Sequence, residues 1–176
     1  MYTGEKVKLR EYKKEDVKPA QSYVNNPEVK RLLTPGIPFP NTLEDEEKWV
    51  ESLSATKDVY SFAIETLQDN KYIGGCGINS IDWKNSVALV GIFIGDKDYW
   101  GKGYGTEAVK KVVDFGFNVI GLNRIEAFIT PENYGSIKVL KKLNFIEEGI
   151  VRERDLIKGK LEDGVIMAML KRDFKE

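Results

Sequence analysis

Histidine is absent from this chain, and cysteine occurs once, as Cys76. The first absence removes Ser-His-Asp and Cys-His nucleophilic catalysis together with every histidine-ligated metal site, so no metal is expected. The second removes an intramolecular disulfide, which suits a reducing compartment, and Cys76 reads as a small buried hydrophobe rather than a nucleophile. Long apolar runs are also lacking. None approaches the roughly 20 residues that cross a bilayer, and the opening MYTGEKVKLREYKKEDVK is charged, without the apolar segment of a signal peptide. A cytoplasmic protein with no membrane attachment is expected. Nor is either charge in excess: 27 Lys and Arg stand against 28 Asp and Glu, a net charge of −1. No global basic field draws phosphodiesters, and nucleic acid is not an expected partner.

What is present suits one compact α/β domain over residues 1–176, because 176 residues of 41% hydrophobic composition can bury a core and no repeat, low-complexity tract or linker divides them. Val7-Lys8-Leu9-Arg10 alternates at the strand period, and Glu15-Asp16 opens a helix through Tyr23-Val24. TPGIPFP, from Thr34 to Pro40, is a loop. Thr42-Leu43-Glu44-Asp45 then reads as a capped helix start running to about Leu53. SFAIET, YIGGCGINSID and SVALVGIFIG are strand-like runs with short polar connections, which imply an antiparallel meander. The glycine-rich turn WGKGYGTEA leads into apolar residues at helical spacing, from Ala108 to Phe117. RIEAFIT is a further strand and Tyr134 to Leu143 a helix with Ile137, Leu140 and Leu143 turned inward. A final hairpin joins about Ile146–Leu156 to Leu161–Leu170, with Gly159 supplying a positive φ.

The turn Trp100-Gly101-Lys102-Gly103-Tyr104-Gly105-Thr106 lies between a strand and a helix, so its backbone amides can converge on an anion at the helix N-terminus. The missing Cβ atoms let a diphosphate approach the main chain. Gly103-x-Gly105-x-x-Ala108 also fits the dinucleotide-binding pattern, which requires the glycines after a first parallel strand and an acidic residue at the tip of the next. Here an antiparallel meander comes first, and Glu126 falls inside RIEAFIT.

The order of motifs instead resembles the GCN5-related N-acetyltransferase (GNAT) superfamily, in particular its ribosomal-protein N-terminal and spermidine acetyltransferases. The resemblance is carried by Lys8-Leu9-Arg10, Tyr72-Ile73-Gly74-Gly75, Val90-Gly91-Ile92, Tyr99 to Ala108, Asn123 to Ala127, Pro131-Glu132-Asn133, Ser136 and Lys142-Leu143-Asn144-Phe145. It covers nearly the whole chain. It implies a mixed, mostly antiparallel sheet of about seven strands with about four helices, and two strands splayed apart at the cofactor. It further implies an acetyl-CoA-dependent enzyme acting on a small-molecule or peptide amine, and pairing of two copies through the terminal strands.

By that resemblance the pantetheine arm of acetyl-CoA lies along Ile92, Phe93 and Ile94, whose amides also face the thioester oxygen. Its diphosphate rests on Trp100, Gly101, Lys102, Gly103, Tyr104, Gly105 and Thr106. Asn133 hydrogen-bonds the pantetheine arm, and Ser136, one turn on, lies near the sulfur. Ser136 is the candidate proton donor; the alternative is a helix-start residue with a purely local hydrogen bond. Relatives often place a glutamate at position 89 and a tyrosine at position 140, where this chain has Leu89 and Leu140. Glu126 is the candidate base acting through water, against the alternative of a surface carboxylate, and a free amine can also lose its proton to solvent. The two leucines motivate a rival reading: a module that binds acyl-CoA and has lost transfer. The acceptor side falls to the first two helices, where Glu44 to Glu47 either attract a cationic substrate or serve the helix dipole; Phe39 is read as a possible cover of the core.

Overall fold

The computed structural model describes residues 2–33, 39–53, 57–157 and 159–175. In chain order the elements are β1 (Val7–Arg10), α1 (Lys14–Asn25), α2 (Pro27–Lys30), α3 (Leu43–Ser52), β2 (Tyr60–Thr66), β3 (Tyr72–Asp82) and β4 (Val87–Ile94), then α4 (Tyr104–Asp114), β5 (Arg124–Ile129), α5 (Tyr134–Lys142), β6 (Ile146–Ile157) and β7 (Lys160–Leu170). The strands form one sheet in the order β1-β2-β3-β4-β5-β7-β6. Every neighbouring pair is antiparallel except β4 and β5, which run parallel because the chain crosses between them through α4. This is the mixed, mostly antiparallel seven-stranded sheet expected from the sequence.

The α-helices number five among the described residues, not about four. The addition, α2, is only four residues long and is made by its start: Asn26 accepts the Glu28 N–H at 2.9 Å and Pro27 takes the first position. Part of the proline-rich segment read as a loop, residues 34–38, lies outside the described residues. Phe39 is 69% exposed, so it does not cover the core; its carbonyl instead accepts the Lys30 ammonium.

One face of the sheet is packed by α4, whose Ala108, Val109, Val112 and Val113 are buried with Val7, Ile73, Ile78 and Val90. After Asp114 the helix widens into a π-helical turn, Phe115–Val119. The sequence gives no hint of this at helical spacing, but Phe115, Gly116 and Phe117 are consecutive and all buried, which the narrow face of an α-helix does not provide. The other face carries a smaller cluster, Ala20 of α1 with Ala63 and Tyr72.

Polar contacts fix the edges. Arg10 donates to both carboxylate oxygens of Asp16 (2.6 and 2.9 Å) and to Glu65, joining β1, α1 and β2 in a buried network. Glu107, in the first turn of α4, accepts the backbone N–H of Lys6 at 3.0 Å and of Val7 at 3.3 Å. Lys6 in turn donates from Nζ to the Lys102 carbonyl at 2.9 Å, so the turn before α4 is held by the first strand.

Candidate active site

Strand β4 has two different edges. Toward β3 it pairs as far as Gly74↔Ile94, whereas toward β5 the register stops at Leu89↔Glu126. Beyond Leu89 the strands part, and residues 90–94 have, among the described residues, no strand partner on the β5 side. Trp100 closes the far end, its indole N–H donating to the Ile94 carbonyl at 2.7 Å.

The glycine turn follows at the top of this fork. Gly101 (φ 71°) and Gly103 (φ 92°) occupy the left-handed region, and Gly103 is the N-cap of α4. The first backbone bond of the helix is Glu107 N–H to the Gly103 carbonyl, at 3.0 Å. Among the described residues no protein acceptor takes the N–H groups of residues 101–106. At Gly105 the helix packs beside the open half of β4, where an added Cβ would lie in ordinary contact, 3.4 Å from Ile92 Cδ1.

A cleft of about 210 Å³ runs along this arrangement. Ile92, Phe93 and Ile94 form one wall, Trp100, Gly101, Gly103, Gly105 and Thr106 its head, and Asn133, Ser136, Lys138 and Lys142 the opposite side. Lys102 and Tyr104 belong to the same turn but are not among the lining side chains; Lys102 serves through its carbonyl, and the Tyr104 ring lies 5.6 Å from the Lys6 ammonium. Lys138 and Lys142 line the cleft, while Lys141 pairs with Glu147 at 3.4 Å.

Asn133 is the N-cap of α5. Its Oδ1 accepts the Ser136 N–H at 3.1 Å and its Nδ2 donates to the Leu32 carbonyl at 3.3 Å, which leaves one amide hydrogen. Ser136 is tied by its backbone, and no hydrogen bond among the described residues uses its hydroxyl. Ser136 lines both this cleft and a second cavity of about 360 Å³ inside the fork.

That second cavity contains Leu89 and Leu140, the two apolar replacements noted in the sequence. Besides Asn133 and Ser136, its polar lining holds groups not singled out from the sequence: Asn79, Thr130, and Arg154 with the buried Asp155, whose carboxylate oxygens accept Arg154 Nη1 at 2.9 and 3.1 Å. The Arg154 guanidinium stacks 4.4 Å from the Phe128 ring. The available signal is the run Arg152-Glu153-Arg154-Asp155, where β6 shifts register against β7 and Glu153 takes φ 51°. Glu126 stands at the base of the fork beside Leu89; its Oε1 accepts Arg124 Nε at 2.6 Å, and it lines neither cavity.

These features fit acetyl-CoA. Six unpaired N–H groups at a helix N-terminus suit a diphosphate, two lysines add positive charge, and an open strand edge offers backbone pairing to an amide-bearing arm.

Known proteins show the family and the fold. The description of an acetyltransferase (GNAT) domain matches residues 6–146. The chain is 37% identical to an uncharacterized N-acetyltransferase, p20, of Bacillus licheniformis, over 99% of this chain and 97% of that one. It is 26% identical to the spermidine N(1)-acetyltransferase of Escherichia coli K12, over 99% and 91% of the two chains. In fold it resembles the crystal structure of spermidine N-acetyltransferase from Vibrio cholerae in complex with CoA and spermine, with a TM-score of 0.86 at 20% identity over 97% of this chain and 98% of that one. The forked sheet, the glycine turn and the extent of these matches lead to one statement: the chain belongs to the GNAT acetyltransferases.

Proposed function

We propose that this acetyl-CoA-dependent N-acetyltransferase works with the residues gathered along β4, the glycine turn and α5, and that its acceptor is a primary amine of a small molecule or peptide. The observation that carries the assignment is the run of unpaired N–H groups over residues 101–106, continuous with the unpaired edge of β4. Bound acetyl-CoA supplies the thioester, whose C–S bond breaks as the amine nitrogen bonds to the acetyl carbon.

The protein's own part is positioning and proton transfer. Backbone amides of residues 101–106 hold the diphosphate, with Lys138 and Lys142 nearby. The open edge of Ile92, Phe93 and Ile94 orients the arm and directs N–H groups at the oxygen that gains charge. The spare amide hydrogen of Asn133 reaches the same arm. Ser136 Oγ, which no hydrogen bond among the described residues uses, donates the proton that the departing sulfur needs. Glu126, at the base of the fork, takes the proton lost by the attacking nitrogen through a water molecule.

Leu89 and Leu140 in the inner cavity favour one competing reading, a module that binds acetyl-CoA without transferring from it. Thiol release from acetyl-CoA, followed with and without a panel of amines and N-terminal peptides, separates the two. Amine-dependent release supports transfer, and tight binding with no release by any amine supports the module.

The same proposal extends to assembly and place. β6 is an edge strand with Ile146, Ile150 and Leu156 exposed, and Leu161 of β7 is exposed beside it, an arrangement that supports pairing of two copies there. The buried free thiol of Cys76 supports a cytoplasmic setting.

A further inference from the structure

Strand β6 breaks step with β7 at one point. The register passes from Val151↔Gly164 to Asp155↔Glu162, so Arg152, Glu153 and Arg154 stand opposite Asp163 alone. Glu153 sits there at φ 51°, in the left-handed region that a residue with a Cβ seldom takes, and its N–H donates to Asp163 Oδ1 at 2.8 Å. The bulge sets the aim of the next side chain: Arg154 lines the cavity inside the fork. Backbone strain held at one position of a long hairpin points to a task for the group it aims.

Three contacts fix the guanidinium in place. It lies over the Phe128 ring, 4.4 Å from the centroid, and its Nη1 donates to both oxygens of Asp155 at 2.9 and 3.1 Å. Its stem crosses Gly164, where an added Cβ would come within 2.8 Å of Arg154 Cδ. Among the described residues no acceptor takes Nε or Nη2. Those two donors form the edge of the guanidinium that matches a carboxylate with two parallel hydrogen bonds. Asp155 is 5% exposed and pairs with Arg154, and the other polar groups of the lining, Asn79, Thr130, Asn133 and Ser136, are uncharged. The cavity thus holds one charge of each sign.

This cavity is part of the reaction space, because Ile92, Asn133 and Ser136 line both it and the cofactor cleft. The acetyl group of the donor is uncharged, so an anion held by Arg154 arrives with the other substrate. An amino acid, before its nitrogen loses a proton, carries one charge of each sign, the complement of Arg154 beside Asp155. We propose that the Nε–Nη2 edge of Arg154 binds the carboxylate of an amino-acid acceptor and so sets its amino group against the open edge of β4. This rests on the transfer function proposed above and names its substrate class.

The experiment offers a panel of α- and ω-amino acids, each beside its own carboxamide, with acetyl-CoA as donor and thiol release as readout. Each pair shares the amine and the skeleton and differs in the carboxylate charge. The wild-type enzyme prefers the amino acid in kcat/KM. Arg154→Gln lowers that preference about 10- to 150-fold, the range for lost hydrogen bonds to a charged group. Arg154→Lys keeps the charge but not the paired donors and recovers only part of it. Expressing each preference relative to wild type cancels the different basicity of an amino acid and its amide. Gly164→Ala is the second variant, since it displaces Arg154 without removing the cation from Asp155, and it lowers the preference in the same direction. CoA titration verifies the fold of each variant. No wild-type preference for any amino acid, or a preference that survives both Arg154→Gln and Gly164→Ala, overturns the proposal. So does a loss confined to transfer from succinyl-CoA, which would assign the carboxylate to the donor. Calorimetric titration of the preferred amino acid into the CoA complex separates the two levels of the argument. Binding that needs Arg154 but gives no turnover sinks transfer and keeps the site; equal turnover of amino acids and carboxamides sinks the site and keeps transfer.

Discussion

Replacing Gly101 by alanine tests the phosphate cup directly, because a matched control exists elsewhere in the chain. Gly101 has φ 71° and Gly121 has φ 78°, and a Cβ added at either meets no atom within 4 Å. Each substitution therefore imposes the same kind of strain without a clash. Holding an L-residue in the left-handed region costs about 1–2 kcal/mol, and the stiffer unfolded chain returns about 0.4–1 kcal/mol. The net loss is about 1 kcal/mol, or a Tm lower by about 2–4 °C for a domain of this size. Only Gly101 lines the cofactor cleft. There the methyl group enters space the diphosphate needs, or the backbone relaxes and turns N–H groups of residues 101–102 away. Loss of one hydrogen bond to a charged oxygen, about 1.5–3 kcal/mol, weakens CoA binding roughly 10- to 150-fold. Calorimetry with CoA and thermal unfolding without it measure the two effects separately. The expected result is similar Tm losses in both variants and weakened CoA binding in Gly101→Ala alone. If Gly101→Ala binds CoA as tightly as wild type, the N–H groups between Trp100 and Thr106 do not hold the diphosphate, and the site assignment fails.

Three further outcomes are expected. Ser136→Ala lowers kcat about 100-fold, the lower range for a lost general acid, with the acetyl-CoA KM little changed; unchanged turnover at saturating substrate removes the serine from the mechanism. Glu126→Gln lowers kcat about 100-fold, and unchanged turnover at saturating substrate dismisses it as the base. Arg10→Met leaves the buried Asp16 without a cation and Glu65 with Lys8 alone, and costs roughly 3–5 kcal/mol in denaturant unfolding at pH 7. In the wild-type protein burial pushes the Glu65 carboxyl up, but the hydrogen bonds and charges of Arg10 and Lys8 outweigh it and hold it below its ordinary 4.5. The stability this contributes is present above that ordinary value and is lost as pH falls through the lowered one. Acid unfolding should therefore begin at a higher pH in Arg10→Met, and coincident acid transitions would refute that account.

What could be read in the sequence was local, and what could not was set by register or by helix phase. The meander, the glycine turn and the last hairpin carry their own signals in alternation and in glycine, and the observed strand bounds fall within a residue or two of those expected. The fork between β4 and β5 follows from where pairing stops, and nothing in SVALVGIFIG marks Leu89 as the last residue to face a partner on the β5 side. Asp155 and Arg154 reach the inner cavity because β6 slips against β7; the run Arg152-Glu153-Arg154-Asp155 marks the place but not the slip itself. Glu46 is the instructive case. As a member of Glu44-Asp45-Glu46-Glu47 it looks like any acidic first turn, and for Asp45 that reading is right. Three and four residues after Glu46, however, stand Trp49 and Val50, which share its side of an α-helix. A carboxylate on the apolar stripe of an amphipathic helix is directed inward. Once inside, it needs a hydrogen bond or a cation. Asn41 supplies that hydrogen bond, to Oε1 at 2.9 Å.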